Sequence, residues 1–462
     1  MHRSAWLALS VILCAGVRAA AETPPVAPPN GPLEAYLRRP HPTFAWAEKG
    51  REPLPGTDAV VHRLELTSQT WRGLPWTHRL NLIVPPAAEG ARARPGHAVL
   101  AISGTGGERE HLALLAPLAI RLGVPVAVLH DVPNQPLFRE DTPDGRGLRE
   151  DALIAKTFVE FVKTGETDWP LLLPMTRAAV AALDALGEHS AAQGEGWAFG
   201  RLERFITTGA SKRGWTTWLT AIGAPERVIG IAPIVYDNLN VKAQIARHLE
   251  VWGHPSPSIH DYTDRGLMQL LEHPRGTELM SFVDPYSYRA RLDLPKMALM
   301  GTNDTYWPLD AVHLYKGDLP GDFFCHYVPN TGHSAGLSAV DAVAGFFDHV
   351  TGRTPPLPAV ALTVSPRRGA LVQVPDEARA RVKGVRLWGA QVEAKDFTKA
   401  SWDRVEARVN GRGWEADLPA RCREAKAGSV AFIAEVELRD SGDRGFKVHS
   451  PVQVWELATP VD

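Results

Sequence analysis

Short apolar runs alternate with amphipathic helical patterns from about residue 33 to residue 354. Residues 63–67 and 78–84 predict two early strands. Residues 98–103, Ala-Val-Leu-Ala-Ile-Ser, form a continuous apolar run that ends in Gly104-Thr105-Gly106-Gly107, and helical spacing follows over 112–122. Residues 125–129 predict another buried strand. Met175, Ala178, Ala179, Ala182, Leu183 and Leu186 recur at steps of three and four, the stripe of an amphipathic helix. Residues 205–208, 228–235 and 296–300 predict further strands. Val340, Val343, Phe347 and Val350 mark a closing helix with Gly352 as its stop. Apolar strands separated by helices argue for a mostly parallel sheet covered on both faces, an α/β fold. Such a sheet receives ligands at the carboxyl ends of its strands.

The pattern changes after residue 354. Pro355-Pro356-Leu357-Pro358 is a stiff connector, and residues 359–364, 382–388, 405–409, 430–438 and 452–457 are short alternating runs. Turn formers such as Asn410-Gly411 and Asp440-Ser441-Gly442-Asp443 separate them, with no helix of convincing period. Residues 355–462 therefore predict a C-terminal β-sandwich of the immunoglobulin or fibronectin type. At the other end, a weak basic start, a short apolar run and Ala19-Ala20-Ala21 predict a signal peptide over 1–21, cleaved before Glu22. That places the protein in the periplasm or outside the cell, and the Pro- and Ala-rich residues 22–32 predict a flexible lead-in.

Composition adds exclusions. The net charge of -2 over 462 residues provides no field for nucleic acid or an anionic membrane. Cys14 leaves with the signal, so Cys325 and Cys422 remain, either bridged between domains or as two buried thiols. The Cys/His spacing is not that of a structural zinc site, and His248, His254 and His260 lack an acidic ligand pattern, so no metal and no cofactor are expected.

Gly209-Ala210-Ser211-Lys212-Arg213-Gly214 follows a strand directly and opens a helical stretch. A serine at such a turn needs strained dihedrals and small neighbours, and the helix start supplies amide donors for an oxyanion. Arg213 stands where the usual G-x-S-x-G elbow has its second glycine; Gly214 comes one step later. An ordinary turn with a capping serine fits the hexapeptide equally well. Its partners favour chemistry. Asp304 ends Met300-Gly301-Thr302-Asn303-Asp304 and His333 ends Val328-Pro329-Asn330-Thr331-Gly332-His333, each just after a strand. Ser211, Asp304 and His333 lie in the order nucleophile, acid, base, at spacings of 93 (304 minus 211) and 29 (333 minus 304) residues. Asp237, also after a strand, is the rival acid. The backbone amides of Lys212 and of Gly104 or Thr105 are the oxyanion candidates.

These motifs closely resemble the PhoPQ-activated pathogenicity-related family of predicted α/β-hydrolases. The likeness rests on Leu-Thr-Ser-Gln-Thr-Trp-Arg at 66–72, Trp-Thr-His at 76–78, Val-Pro-Asn-Gln-Pro at 132–136, Glu-Asp-Ala-Leu-Ile-Ala at 150–155 and Leu-Leu-Leu-Pro-Met-Thr at 171–176. It continues through residues 209–218, Asp-Pro-Tyr-Ser-Tyr at 284–288, residues 301–307 and Pro-Asn-Thr-Gly-His at 329–333. The resemblance implies an α/β-hydrolase domain over about 33–354 and a hydrolase-like site, and it implies no substrate. Asn134, Gln135, Arg213, Trp215, Trp252 and Trp307 are the candidate substrate contacts, and residues 238–291 are expected to cap the site. Asn134 and Gln135 are equally readable as a structural turn. Glu150 and Asp151 are read as helix N-terminal residues. Lys212 and Arg213 either meet an anionic group or pair with carboxylates. Two functions follow: a secreted serine hydrolase acting on an ester or amide of a small-molecule, carbohydrate-derived or peptide substrate, or a secreted binding or signalling protein that keeps the fold without turnover. In either case the C-terminal sandwich is expected to meet a partner.

Overall fold

The computed structural model describes residues 26–27, 30–365, 369–439 and 445–457. Nine strands build the main sheet: β1 (Ala45–Pro53), β2 (Val60–Trp71), β3 (Leu74–Val84), β4 (His97–Ile102), β5 (Val126–Leu129), β6 (Arg204–Ala210), β7 (Val228–Ile234), β8 (Lys296–Gly301) and β9 (Phe323–Val328). Their order is β1-β2-β3-β5-β4-β6-β7-β8-β9. The six strands from β5 to β9 run parallel, and β1, β2 and β3 are antiparallel to their neighbours. This is the α/β-hydrolase arrangement, with the first crossover placing β4 beside β6.

The apolar runs explain the layering. Alternate residues of β4 enter different cores: Ala98, Leu100 and Ile102 join one cluster, Val99 and Ala101 the other. The first cluster holds residues of the helices Glu150–Thr164, Leu172–Ala191 and Lys212–Gly223. The second holds residues of Glu108–Leu122 and Ser338–Val350. A strand buried on both faces has no polar alternation to show, which is why it reads as a solid apolar run.

Several elements exceed their sequence expectation. β2 and β3 extend past 63–67 and 78–84 and meet through Arg72 and Gly73, both at positive φ, a two-residue hairpin loop. β1 had no apolar signal because nearly all of its residues are exposed or half-buried.

The C-terminal region forms β10 (Ala361–Ser365), β11 (Gly369–Gln373), β12 (Val382–Val392), β13 (Asp403–Glu406), β14 (Arg408–Asn410), β15 (Gly413–Ala416), β16 (Gly428–Arg439), β17 (Gly445–His449) and β18 (Gln453–Leu457). One antiparallel sheet, β17-β16-β12-β13 with β18 on β16, continues the main sheet through a single pairing of His449 with Cys325. A second antiparallel sheet, β10-β11-β15-β14, shares its apolar residues Leu362, Val372 and Trp414 with Leu387, Phe432 and Val436 of the first. Two β layers are thus present, and one of them is fused edge-on to the hydrolase sheet. The run at 405–409 splits between the two sheets, and two short helices, Asp376–Arg379 and Ala420–Glu424, occur where no helical period was legible. Cys325 and Cys422 are both free and buried, not bridged. The expected signal peptide over 1–21 and the turn at 440–443 lie outside the described residues. Among the described residues no helix is long and apolar enough to cross a membrane.

Candidate active site

Ser211 sits between β6 and the helix Lys212–Gly223 with φ 57° and ψ -125°. Few non-glycine residues adopt such a conformation, and neighbouring structure must hold it. Ser211 N–H donates to Ile234 O at 2.8 Å, and Ser211 O accepts from Trp215 N–H at 3.1 Å. A Cβ on Gly209 would lie 2.7 Å from Arg213 O, and one on Gly214 would lie 2.7 Å from Tyr236 Cβ. Gly214 therefore provides the close helix–strand approach expected of the elbow's second glycine, one residue later than usual.

Asp304 and His333 leave the ends of β8 and β9. His333 Nδ1 lies 2.8 and 3.0 Å from the two carboxylate oxygens of Asp304, and His333 Nε2 lies 2.8 Å from Ser211 Oγ. The carboxylate only accepts, so Nδ1 carries the proton and Nε2 is free to accept from the serine hydroxyl. The Tyr306 ring stacks on His333 with centroids 4.1 Å apart, and Tyr306 N–H donates to Asp304 at 2.9 Å. Three loops distant in sequence thus meet at one sheet edge.

The two loops bearing acid and imidazole are stitched together. Asn303 N–H donates to Thr331 O at 2.9 Å, and Asn330 N–H to Thr302 Oγ1 at 2.9 Å. A Cβ on Gly301 would overlap Gly332 O, so only glycine fits there. The C-terminal region holds both loops from outside. Asn303 Nδ2 donates to Ala400 O at 2.7 Å and Phe397 O at 3.2 Å. Asn330 exchanges a pair of bonds with the Trp402 backbone at 2.8 and 3.1 Å.

Asp237, the rival acid, is elsewhere engaged: it accepts from Tyr315 Oη at 2.7 Å, and burial pushes its carboxyl up to about 7.

Glu150 is not a capping residue. Its carboxylate takes both terminal nitrogens of Arg213 at 2.6 and 2.7 Å, Lys212 Nζ at 3.0 Å and Gln135 Nε2 at 2.5 Å. Burial works against its charge, but the bonds and charge of Arg213 and Lys212 outweigh it and hold the carboxyl down at about 2. Lys212 Nζ also meets Asp151 at 3.1 Å, which accepts from Tyr262 Oη of the 238–291 insertion at 3.0 Å. Arg213 is therefore no substrate contact: it is nine-tenths buried, and its Nε donates to Val132 O at 2.6 Å. Asn134 and Gln135 are likewise spent on structure. Asn134 Nδ2 donates to Thr77 O at 2.7 Å, and Gln135 Oε1 accepts from Glu150 N–H at 2.8 Å, satisfying an open helix amide.

Beside Ser211 opens a cleft with about 690 Å³ of unfilled space, its mouth included. Trp215 and Trp307 line it, together with Phe158 and the insertion's Val241, Ile245 and Leu267. Trp252 instead packs its ring on His248 and borders a separate crevice with Lys395 and Phe397. Gly104 and Thr105 follow β4, whose Ile102 pairs with Gly209, so they share the sheet edge with Ser211 and Lys212. Among the described residues one group of possible metal donors occurs, Glu48, His62 and His189; Arg51 already holds Glu48, and the two imidazoles bond each other at 3.0 Å. It lies on β1, β2 and the helix Leu172–Ala191, apart from the serine.

Strand order and the Ser211 elbow define an α/β-hydrolase-fold protein. The chain belongs to the PhoPQ-activated pathogenicity-related protein family, whose pattern it matches over residues 33–398, through the C-terminal segment that braces Asn303. It is 30% identical over 325 residues to autocrine proliferation repressor protein A of Dictyostelium discoideum, which covers 68% of this chain and 63% of that protein. The chain thus spans less than two thirds of that relative's length. Among solved structures it is similar to acetyl xylan esterase 1 of a Thermoanaerobacterium species, at 16% identity and TM-score 0.45, covering 68% of this chain and 90% of that one. It is also similar to an acetyl xylan esterase of a Paenibacillus species, at 14% and 0.46, covering 68% and 91%. Neither likeness bears on substrate.

Proposed function

We propose that the chain is an exported serine hydrolase that cleaves an ester or amide through an acyl-enzyme. Ser211 is the nucleophile, His333 the general base and then acid, and Asp304 the group that orients the imidazole. The observation that carries this reading is the 2.8 Å approach of His333 Nε2 to Ser211 Oγ, backed by the Nδ1–Asp304 contact. Ser211 Oγ attacks the acyl carbon while its proton moves to His333 Nε2. The same proton passes to the leaving oxygen or nitrogen as the scissile bond breaks. Water then repeats the sequence, with the acid as product and the serine restored. The carboxylate of Asp304 stabilises the imidazolium formed in each half. The N–H of Lys212, at a helix start, and an N–H of Gly104 or Thr105 receive the oxyanion. Export rests on the signal expected over 1–21.

A fluorophosphonate probe tests this. Covalent labelling of the folded protein that disappears in Ser211→Ala is expected; absence of labelling contradicts it. The second reading, a secreted signalling protein without turnover, draws on the name of the Dictyostelium relative and predicts that unlabelled outcome.

A further inference from the structure

The cleft beside Ser211 is mostly apolar, and it carries no net charge. Its charged lining residues, Asp151 and Lys212, neutralise one another at 3.1 Å, and Lys212 also meets Glu150. The remaining walls are mostly apolar, with Phe158, Ile245, Leu267, Met268, Leu271 and Met280 among them. With so many apolar side chains facing it, the cleft rewards an apolar acyl group through the surface that group buries.

Two buried ring N–H donors of the lining residues have no hydrogen-bond partner, and the buried Tyr236 hydroxyl among them has none either. Trp307 Nε1–H is one. His248 is the other: its Nδ1 accepts from Ser256 N–H at 3.2 Å, so the neutral ring carries its proton on Nε2, which bonds to nothing. Burial lowers the His248 basicity to about 4, which keeps the ring neutral at ordinary pH. A buried donor without an acceptor costs stability until something supplies one. With neutral donors and no unbalanced cation in the lining, the fitting acceptor is an uncharged oxygen.

We infer that this cleft binds the acyl portion of the substrate, and that this portion is an apolar or ring-bearing group carrying a neutral acceptor oxygen, such as a ketone or ether. The acyl assignment rests on the serine-hydrolase reading; the ligand chemistry rests on the cleft alone.

Two measurements separate them. Hydrolysis of 4-nitrophenyl acetate, 4-phenylbutanoate and 4-oxo-4-phenylbutanoate gives kcat/KM for a small, an apolar and an acceptor-bearing acyl group. The phenylbutanoate is expected to exceed the acetate by about 10-fold or more. The oxo ester should gain about another 5-fold, and that gain should vanish in Trp307→Phe or in His248→Phe, whichever variant melts cooperatively. Binding of 4-phenylbutan-2-one and butylbenzene to Ser211→Ala, followed by tryptophan fluorescence, needs no turnover. The ketone is expected to bind about 10-fold more tightly. Ketone preference without any hydrolysis would support the ligand chemistry while the serine reading fails. Equal or weaker ketone binding, or hydrolysis that favours acetate, overturns the inference.

Discussion

Ser211 and the Asp304–His333 pair are held in position by different means. Around Ser211 the restraints are short-range and ionic: a strained backbone, Gly209 and Gly214 at closest approach, and Arg213 and Lys212 clasped by Glu150. Around Asp304 and His333 the restraints are neutral amide bonds, and the outermost come from Phe397, Ala400 and Trp402 in the C-terminal region. The difference teaches that the β layers after residue 354 are part of the site's scaffold. One half is held by charge among residues that flank the serine, the other by backbone groups from a separate stretch of chain.

If the proposed function holds, the largest effects separate Ser211, Asp304 and His333 from everything around them. Ser211→Ala should lower kcat about 10⁶-fold, and Asp304→Asn about 10⁴-fold through the wrong imidazole tautomer, in steady-state assays of any ester the protein turns over. Next comes the ionic half. Glu150→Gln leaves Arg213 buried without a counter-charge; with the Glu150 side chain 39% exposed, the expected loss is about 2 kcal/mol by chemical denaturation, below the fully buried range. Its carboxyl titrates at about 2 in the fold, below the ordinary value of about 4.3, so the folded state binds fewer protons. The stability it adds is present above about pH 4 and is lost as pH falls towards 2. Glu150→Gln should remove that part of the acid limb from a melting profile.

The neutral half should respond more mildly and differently. Asn330→Ala breaks both bonds to Trp402 and puts alanine at φ 59°, so about 1–2 kcal/mol and about a 10-fold drop in kcat with little change in KM are expected. An equal loss of binding and rate in that variant would refute a positioning role. The smallest effect is expected at Asp237. Asp237→Asn should keep kcat within about 3-fold, since the residue faces Tyr315. Its buried carboxyl, raised to about 7, favours the fold most below the ordinary aspartate value and loses that contribution as pH rises to 7. The asparagine variant should therefore gain stability relative to the parent between pH 5 and pH 8, as thermal melts would record.

The ionic half was also the more legible one. Ser211, Gly209 and Gly214 lie within six residues, and a serine after an apolar strand carries its own signal. Asp304 and His333 were legible as residues that follow strands, but the bonds of Asn303 and Asn330 to residues 397–402 were not. Those bonds use backbone carbonyls and one backbone N–H, groups that almost any residue type provides. The apolar runs of β4, β5 and β8 were visible because both faces are buried, whereas the polar edge β1 was silent. Glu150 read as an ordinary helix start because its partner Arg213 lies 63 positions away. Asn134 and Gln135 stood at the ligand edge of the sheet, yet their amides serve Thr77 and Glu150. Trp252 and Trp307 share a crevice with Lys395 and Phe397, but only Trp307 also reaches the cleft beside Ser211, a difference that composition does not reveal.

The account stands on Ser211 and His333 acting as one chemical unit. A double-mutant cycle on ester hydrolysis with Ser211→Ala, His333→Ala and the pair measures this directly. The predicted result is that the double variant is no slower than either single one. Rate losses that multiply would mean the two residues act independently, and would contradict it.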